Sequence, residues 1–426
     1  MRTEELYQLF LRYPSVQTDT RKLKPGDIFF ALKGEHFNGN SFAAKAIEAG
    51  AACAVIDEAG FEIPGKTVLV EDVLQALQEL ALYHRQQFKV PFLAITGSNG
   101  KTTTKELVHA VLSRKFRTYT TEGNLNNHIG VPLTLLRIGM DAEMAVVEMG
   151  ANHQGEIASY CRYTLPTHGM ITNCGKAHLE GFGGVEGVRK GKGELYDYLK
   201  AHQGTAFVMW DYDYLRGMSQ GIPVIIRYGT AAAEIEGVAL QSEPFLVVEL
   251  RKGADTGIIH TQLVGDYNLP NVLAAVAAGQ HFGVPAEEIR NAIEAYTPSN
   301  SRSQLIKKGS NTIILDAYNA NPSSMKLAIE NFGKIKAEKK ILLLGAMAEL
   351  GDESLDEHRA IIQLLQQYQW DAVVLVGGDF LRVEHPFISK NNAGEARDWL
   401  QGLQPVNAHL LIKGSRSMKM ETVLDH

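Results

Sequence analysis

One octapeptide narrows the folds open to this chain more than any other feature. Thr96-Gly97-Ser98-Asn99-Gly100-Lys101-Thr102-Thr103 closes an apolar run, Phe92 to Thr96. It opens an amphipathic segment, about Thr102 to Lys115, whose Leu107, Val108, Val111 and Leu112 share one face. Buried strand, glycine-rich turn and helix, in that order, are the context of a phosphate loop. The glycines let backbone N–H groups close around phosphate oxygens, and the helix N-terminus adds positive potential. Gly97, Ser98, Asn99, Gly100 and Thr103 are therefore candidate phosphate-binding residues. Lys101 is placed to reach the β- and γ-phosphates, and the Thr102 hydroxyl to face Mg2+. The general pattern asks for a glycine five residues before Gly100, where Ile95 stands. An ordinary glycine-rich turn is the competing reading, and Gly-Lys-Thr-Thr at the passage from strand to helix weighs against it.

A unit of this kind belongs in a mostly parallel sheet with helices on both faces, and the rest of the chain alternates to match. Ile28 to Leu32 and Ala52 to Ile56 read as strands, with a helix from Phe42 to Ala49 between them and another from Val73 to Phe88. Strands recur at Met144 to Met149 and Gly169 to Asn173, and the stretch from about 205 to 264 is β-rich. Helices follow at Asn271 to Phe282 and Ile289 to Tyr296. Beyond a hinge at Thr297-Pro298-Ser299-Asn300-Ser301, strands at Thr312, Lys340, Ala372 and Ala408 alternate with helices. At roughly 150 residues per domain, a 426-residue chain is expected to hold about three. The expectation is an α/β protein: a small N-terminal α/β domain (1–88), a central P-loop domain with a parallel sheet (89–298) and a C-terminal Rossmann-like domain (299–426).

Charge and cysteine content remove several function classes. With 42 Lys and Arg against 48 Asp and Glu, the net charge of −6 argues against a dedicated nucleic-acid binder. Cys53, Cys161 and Cys174 are too few and too scattered for a disulfide framework or a zinc knuckle, so a reducing cytoplasm is expected. No apolar stretch suits a signal peptide, and none reaches the ~18 residues of a membrane span.

Candidate site residues gather where strands end. Glu148 closes the run Met144-Ala145-Val146-Val147, which puts a carboxylate at the ligand-binding edge of such a sheet, beside the phosphate loop. It is a candidate Mg2+ ligand, with a solvated strand end as the plain alternative. His178 follows the next strand; a lone histidine is more often structural than a ligand. Lys192, in Arg189-Lys190-Gly191-Lys192-Gly193-Glu194, reads on periodicity alone as a solvated helix lysine. Asp316-Ala317-Tyr318-Asn319-Ala320-Asn321-Pro322 and Lys413-Gly414-Ser415-Arg416 each follow a strand. They read either as tight polar turns or as clusters aimed at a ligand.

Taken together these segments resemble the ATP-dependent Mur ligases of peptidoglycan synthesis. The resemblance runs over nearly the whole chain, through Thr18-Asp19-Thr20-Arg21, the phosphate loop, Gly123-Asn124-Leu125-Asn126-Asn127, Ala151-Asn152-His153-Gln154-Gly155-Glu156, Ala177-His178-Leu179-Glu180-Gly181-Phe182-Gly183, Tyr318-Asn319-Ala320-Asn321-Pro322 and Lys413-Gly414-Ser415-Arg416. The Asn-Leu-Asn-Asn and Ala-Asn-His-Gln stretches resemble the branch that adds D-alanyl-D-alanine. Two positions depart from the family: Asn300-Ser301-Arg302 stands where Pro-Gly-Arg is common, and Asn40 where histidine is common.

The resemblance implies an ATP-dependent ligase acting on a UDP-N-acetylmuramoyl tripeptide and D-alanyl-D-alanine through an acyl phosphate. Lys101, Glu148, His178 and Lys192 would be catalytic. Lys192 lies fourteen residues after His178, matching the lysine that is carbamylated in related ligases. Thr102 and Glu148 would hold one Mg2+; Glu148, His178 and carbamylated Lys192 would hold or orient a second. ATP contacts are implied for Asn268 at the adenine, for Arg302, and for Asp316 near the ribose. Thr18, Thr20 and Arg21 would lie near the uridine diphosphate. Asn126, Asn127, Asn152 and His153 would line the path of the peptide or dipeptide, with His153 one candidate base for the amine. Asn321 would also touch substrate, while Lys413 and Arg416 approach the reacting end. A cytoplasmic monomer with no nucleic-acid partner and no membrane insertion is expected. The alternatives are another Mur or folylpolyglutamate-type amide ligase and an ATP-dependent switch protein.

Overall fold

The computed structural model describes residues 2–299 and 301–425. Met1, Asn300 and His426 lie outside the described residues, and Asn300 is the fourth of the five residues of the expected hinge. Three parallel-rich sheets organise the chain. The first has four strands in the order Val16–Gln17, Ile28–Phe30, Cys53–Ile56, Thr67–Leu69, all parallel. The second has nine, in the order Ile258–His260, Val247–Lys252, Ile235–Gln241, Val224–Gly229, Thr205–Met209, His168–Ile171, Phe92–Thr96, Met144–Glu148, Thr118–Thr120. The third has six, in the order Gln304–Lys308, Asn311–Asp316, Ala408–Lys413, Lys339–Gly345, Ala372–Val376, Ile388–Lys390.

The apolar runs become the inner strands because helices cover both faces, leaving no face for polar alternation. Every residue of Phe92–Thr96 and of Met144–Glu148 is buried. The helices Lys101–Leu112 and Leu269–His281 pack on one another, and Val185–Ala201 lies against the strands His168–Ile171 and Phe92–Thr96. The β-rich stretch forms the far half of the second sheet. It turns antiparallel only at Val247–Lys252 and Ile258–His260, where short connections replace helices. Cys53, Cys161 and Cys174 are free thiols, all buried. Among the described residues no helix is long and apolar enough to cross a membrane.

Register then places the chemistry. Ile95 pairs with Glu148 and Thr96 with Ile171, so three adjacent parallel strands end together. Their carboxyl ends carry the phosphate loop, Glu148 and the turn that leads to His178. In the third sheet Asp316 and Lys413 are register partners at the corresponding edge. The two carboxyl edges face one another across a cavity of about 710 Å3, in keeping with the tendency of α/β sheets to bind ligands there.

Candidate active site

The phosphate loop is shaped by two glycines that no other residue could replace in place. Gly97 has φ +142, and a Cβ there would lie 2.0 Å from Thr172 Oγ1. Gly100 has φ +80, and a Cβ would meet Asn271 Oδ1 at 2.7 Å. The loop is clamped to the neighbouring strand end: Ser98 N–H donates to Asn173 O at 2.9 Å, Asn99 N–H to Asn173 Oδ1 at 3.1 Å, and Thr172 Oγ1 to Asn99 O at 2.6 Å. The Lys101 ammonium folds back on its own loop, donating to Gly97 O at 2.8 Å and Ser98 O at 3.3 Å. Desolvation pulls Lys101 below the usual lysine range; Glu148 opposes that pull and Arg302 adds to it.

Glu148 is 1% exposed, so the solvated strand end is overturned: the helices on both faces and the Thr102–Asn126 side enclose the carboxylate. Its Oε1 accepts from Asn126 Nδ2 at 2.7 Å and from Thr102 Oγ1 at 3.2 Å, while its Oε2 is buried with no partner among the described residues. A buried carboxylate oxygen without a donor is costly unless a cation completes it. Carboxylate plus hydroxyl is a hard-oxygen donor set, which Mg2+ prefers. Among the described residues no three His, Cys, Asp or Glu side chains form a ready cage. That fits Mg2+, which commonly binds one or two protein oxygens and completes its shell with phosphates and water.

Lys192 is likewise 1% exposed, which corrects the solvated-helix reading. Val185–Ala201 is tilted onto Phe182, and Lys192 lies beneath the cavity floor, donating to Ala151 O at 2.9 Å, with the Phe182 ring 4.9 Å away. Burial, with Lys101 adding repulsion, lowers its pKa to about 7. His178 lines the cavity in a left-handed conformation (φ +54), and its Nδ1 pairs with Glu349 of the third sheet's domain.

The third domain supplies the facing wall. Lys413 is 1% exposed rather than a solvated turn. It pairs with Asp316 and donates to Asn319 O at 3.2 Å. Asp316 also accepts from Ser303 N–H at 3.1 Å. The Arg302 guanidinium stacks 3.6 Å from the centre of the Tyr318 ring. Asn321 caps the helix Pro322–Lys334 by accepting from Ser324 N–H at 2.9 Å, and its Nδ2 reaches across the gap to Asn99 Oδ1 at 2.8 Å. Asn268 is buried on the cavity wall, its Nδ2 donating to Val264 O at 2.9 Å.

Asn126, Asn127 and Asn152 line the same cavity. Asn127 Oδ1 is engaged by Gly130 N–H at 2.8 Å, and Glu156 Oε2 holds the Asn152 and His153 N–H groups at 2.6 and 3.0 Å. His153 and Arg416 lie outside the lining, and Arg416 pairs with Glu421 at 3.1 Å. Thr18, Thr20 and Arg21 are also apart from it; Arg21 folds onto Asp19 at 2.8 Å. Asn40 is wholly buried and joins Asp57 at 2.8 Å. Sequence reasoning missed Asn173 and Asn271 as site residues. Asn271 accepts from Thr104 Oγ1 at 3.0 Å and donates to Asn268 Oδ1 at 2.8 Å, tying the phosphate-loop helix to the cavity wall at Asn268. Its signal was the three-residue spacing from Asn268 at a helix start, hidden beside the alanine-rich run.

Three segments of the chain match family models: residues 12–85 the "Mur ligase family, catalytic domain", 95–279 the "Mur ligase middle domain" and 301–415 the "Mur ligase, glutamate ligase domain". The UDP-N-acetylmuramoyl-tripeptide–D-alanyl-D-alanine ligase of Bacillus subtilis (strain 168) is 36% identical over 96% of the chain and 92% of its own length. A crystal structure of MurF from Acinetobacter baumannii superposes with a TM-score of 0.87 at 33% identity, covering 96% of this chain and 92% of that one. MurF ligase from Thermotoga maritima in complex with ADP gives a TM-score of 0.86 at 25% identity, with 97% of each chain covered.

Proposed function

The chain belongs to the Mur ligase family, and from that membership we infer an ATP-dependent ligase that joins D-alanyl-D-alanine to the tripeptide carboxylate of UDP-N-acetylmuramoyl tripeptide in peptidoglycan precursor synthesis. The observation that carries this reading is the 36% identity, over 96% of the chain, to a relative named for that reaction. The cavity suits the chemistry. The γ-phosphoryl passes to the tripeptide carboxylate, giving an acyl phosphate and ADP. The amine of D-alanyl-D-alanine then attacks the acyl carbon, loses a proton, and inorganic phosphate leaves.

Carboxylate and γ-phosphate are both anions and repel. Lys101 and, across the cavity, Arg302 and Lys413 offer positive charge on two sides of one space, and preorganised charge is what lowers such a barrier. Mg2+, when bound, neutralises phosphate charge and the charge that develops on transfer. Thr102 and Glu148 would hold one ion, and Glu148, His178 and carbamylated Lys192 the second. Glu148 Oε2, buried without a partner among the described residues, supports that role. For Lys192 the support is its burial and a pKa lowered to about 7. An appreciable fraction is then the neutral amine that attacks CO2, forming an N–C bond and releasing a proton. The product is an anionic oxygen ligand where an ammonium stood.

The remaining roles follow the two walls. Asn268 would lie against adenine and Asp316 near the ribose. Gly97, Ser98, Asn99, Gly100 and Thr103 would cradle phosphate. Asn126, Asn127, Asn152 and His153 would flank the peptide path. Asn321, Lys413 and Arg416 would approach the reacting end, and Thr18, Thr20 and Arg21 the uridine diphosphate. The enzyme acts as a cytoplasmic monomer whose three domains are 1–88, 89–298 and 299–426. The test is phosphate release with UDP-muramoyl tripeptide and a panel of amino acids and dipeptides. Release must be sustained only when tripeptide and amine are both present. Release independent of acceptor identity would mark a switch, and a preference for glutamate another branch.

A further inference from the structure

The turn from Asn173 to His178 carries the third domain. Lys176 N–H donates to Ser323 Oγ at 2.9 Å, the Lys176 ammonium pairs with Glu357, and His178 Nδ1 pairs with Glu349. Of the two charged contacts, only the last involves a side chain that lines the cavity.

Glu349, its side chain about half exposed, follows a pinned segment of backbone. It lies between the strand Lys339–Gly345 and the helix Ser354–Leu365, in a turn pinned at its start. Ala346 O accepts from Ser415 N–H at 3.2 Å and from Ser415 Oγ at 2.7 Å. Met347 N–H donates to Nε2 of fully buried His358 at 3.1 Å, and Nδ1 of that ring lies 2.7 Å from Ser354 O. Those partners require Nδ1–H to donate and Nε2 to accept, so the His358 tautomer is fixed. Glu349 itself has φ +61 and His178 φ +54. Left-handed conformations at two non-glycine residues are strained, and such strain persists where surroundings over-determine it, often at switches. The two backbones also touch: Glu180 N–H donates to Glu349 O at 3.4 Å.

We propose that Glu349 is a positioning residue that acts through His178: when the third domain docks, its carboxylate takes Nδ1 and turns Nε2 to the phosphate cavity. The proposal rests on the reading that His178 serves the metal site. Among the described residues Nδ1 is buried and meets the Glu349 carboxylate as an ion-pair contact, without the alignment of a formed hydrogen bond. A carboxylate on the far nitrogen of a metal-side histidine fixes its tautomer and orientation. Because that carboxylate sits on another domain, docking and metal-site geometry become one event. A cavity without a docked third domain lacks the oriented imidazole, and ATP is not spent on water.

Mn2+ is the probe, titrated by electron paramagnetic resonance into enzyme with a non-hydrolysable ATP analogue and UDP-muramoyl tripeptide. Glu349→Ala is expected to weaken Mn2+ binding about tenfold or more, and to lower kcat by a similar factor, with KM for ATP little changed. Glu349→Gln, whose amide oxygen can still accept from Nδ1–H, should recover part of both. Glu349→Gly also removes the carboxylate but relieves the left-handed strain, so weak Mn2+ binding in a protein as stable as wild type separates positioning from packing. Glu357→Gln removes the neighbouring ion pair and should leave Mn2+ affinity unchanged. Wild-type Mn2+ affinity in Glu349→Ala, with weakened affinity in His178→Ala, overturns the proposal alone. Unchanged affinity in His178→Ala overturns the metal-site reading and the proposal with it.

Discussion

Lys101 and Lys192 are two cations that the fold keeps close enough for one to depress the other. Carbamylation of Lys192 would turn that repulsion into attraction, so each lysine favours the working form of the other. Lys101→Ala should leave the fold intact, because among the described residues its ammonium bonds to carbonyls of its own loop. Turnover should fall by about 10²–10³-fold, the usual effect of removing a transition-state charge partner. Near-normal kcat in a folded mutant would remove the phosphate-loop assignment. Lys192 allows a test with a defined sign. Its folded pKa is lowered to about 7, so above that pH the unfolded chain binds more protons than the native one. In buffer free of bicarbonate, stability should therefore rise with pH from about 7 toward the ordinary lysine range. Lys192→Met should flatten that rise in urea-melt midpoints, and an identical slope in both proteins would contradict the burial of a protonatable amine. Short carboxylic acids should restore part of the activity of Lys192→Ala by supplying the missing oxygens.

Between residue and domain stands the helix cap. Asn321 starts the helix Pro322–Lys334 and bridges to Asn99 of the phosphate loop, two duties that one substitution can separate. Asn321→Ala should cost about 1 kcal/mol of stability for the lost cap, read from chemical denaturation. Asn321→Asp keeps the cap but places a carboxylate where an amide donated to Asn99, so stability should hold while kcat/KM falls. Equal kinetics for wild type and Asn321→Asp would show that the bridge is idle. Elements also show where sequence was legible. Phe92–Thr96 is read to the residue, because a strand covered on both faces is an unbroken apolar run between turns. Ile235–Gln241 falls inside the stretch read as β-rich but gains no bounds of its own there: half of it faces solvent near the sheet's edge, and its composition shows it. The helix Val185–Ala201 is the costlier misreading, since the lysine expected in solvent there, Lys192, is buried. Gly187, Gly191 and Gly193 interrupt its pattern, and each normally weakens a helix by about 1 kcal/mol. They are there for contact. A Cβ at Gly187 would sit 1.8 Å from Phe182 O, and one at Gly191 2.5 Å from the Phe182 ring. The close approach that these glycines allow also buries the lysine of the helix, which explains why the role of Lys192 was legible only through family resemblance. Asp316 and Lys413, by contrast, were visible as polar residues at strand ends, but not as partners, because pairing across a sheet is a property of register.

At the scale of the whole molecule, the gap between two sheet edges is where an acceptor would be chosen. A dipeptide acceptor must place its amine near the acyl phosphate and its carboxylate a full dipeptide away. A misplaced carboxylate leaves its cationic partner unpaired, whereas one methyl group discriminates by only about 1–3 kcal/mol. D-Ala-D-Ala should therefore support turnover, related D-dipeptides should react slowly, and free D-Ala, L-Ala and L-Ala-L-Ala should support little. kcat/KM across these acceptors at saturating ATP checks the order, and a better value for meso-diaminopimelate, L-lysine or glutamate would move the chain to another branch. The three buried thiols lend the same molecule a set of internal clocks. Burial pushes Cys53 up to about 11 and Cys174 up to about 12, the latter despite nearby cations, and raises Cys161 as well. None offers a thiolate at neutral pH while the fold is closed, so a disulfide reagent can mark each only as fast as its surroundings open. Cys53 lies in the first sheet, Cys161 on a central helix, and Cys174 in the turn that Ser323 and Glu357 grip. Bound nucleotide and tripeptide should slow the labelling of Cys174 and leave Cys53 unchanged. Its rate would time the release of the third domain in an unmodified chain, with no dye attached.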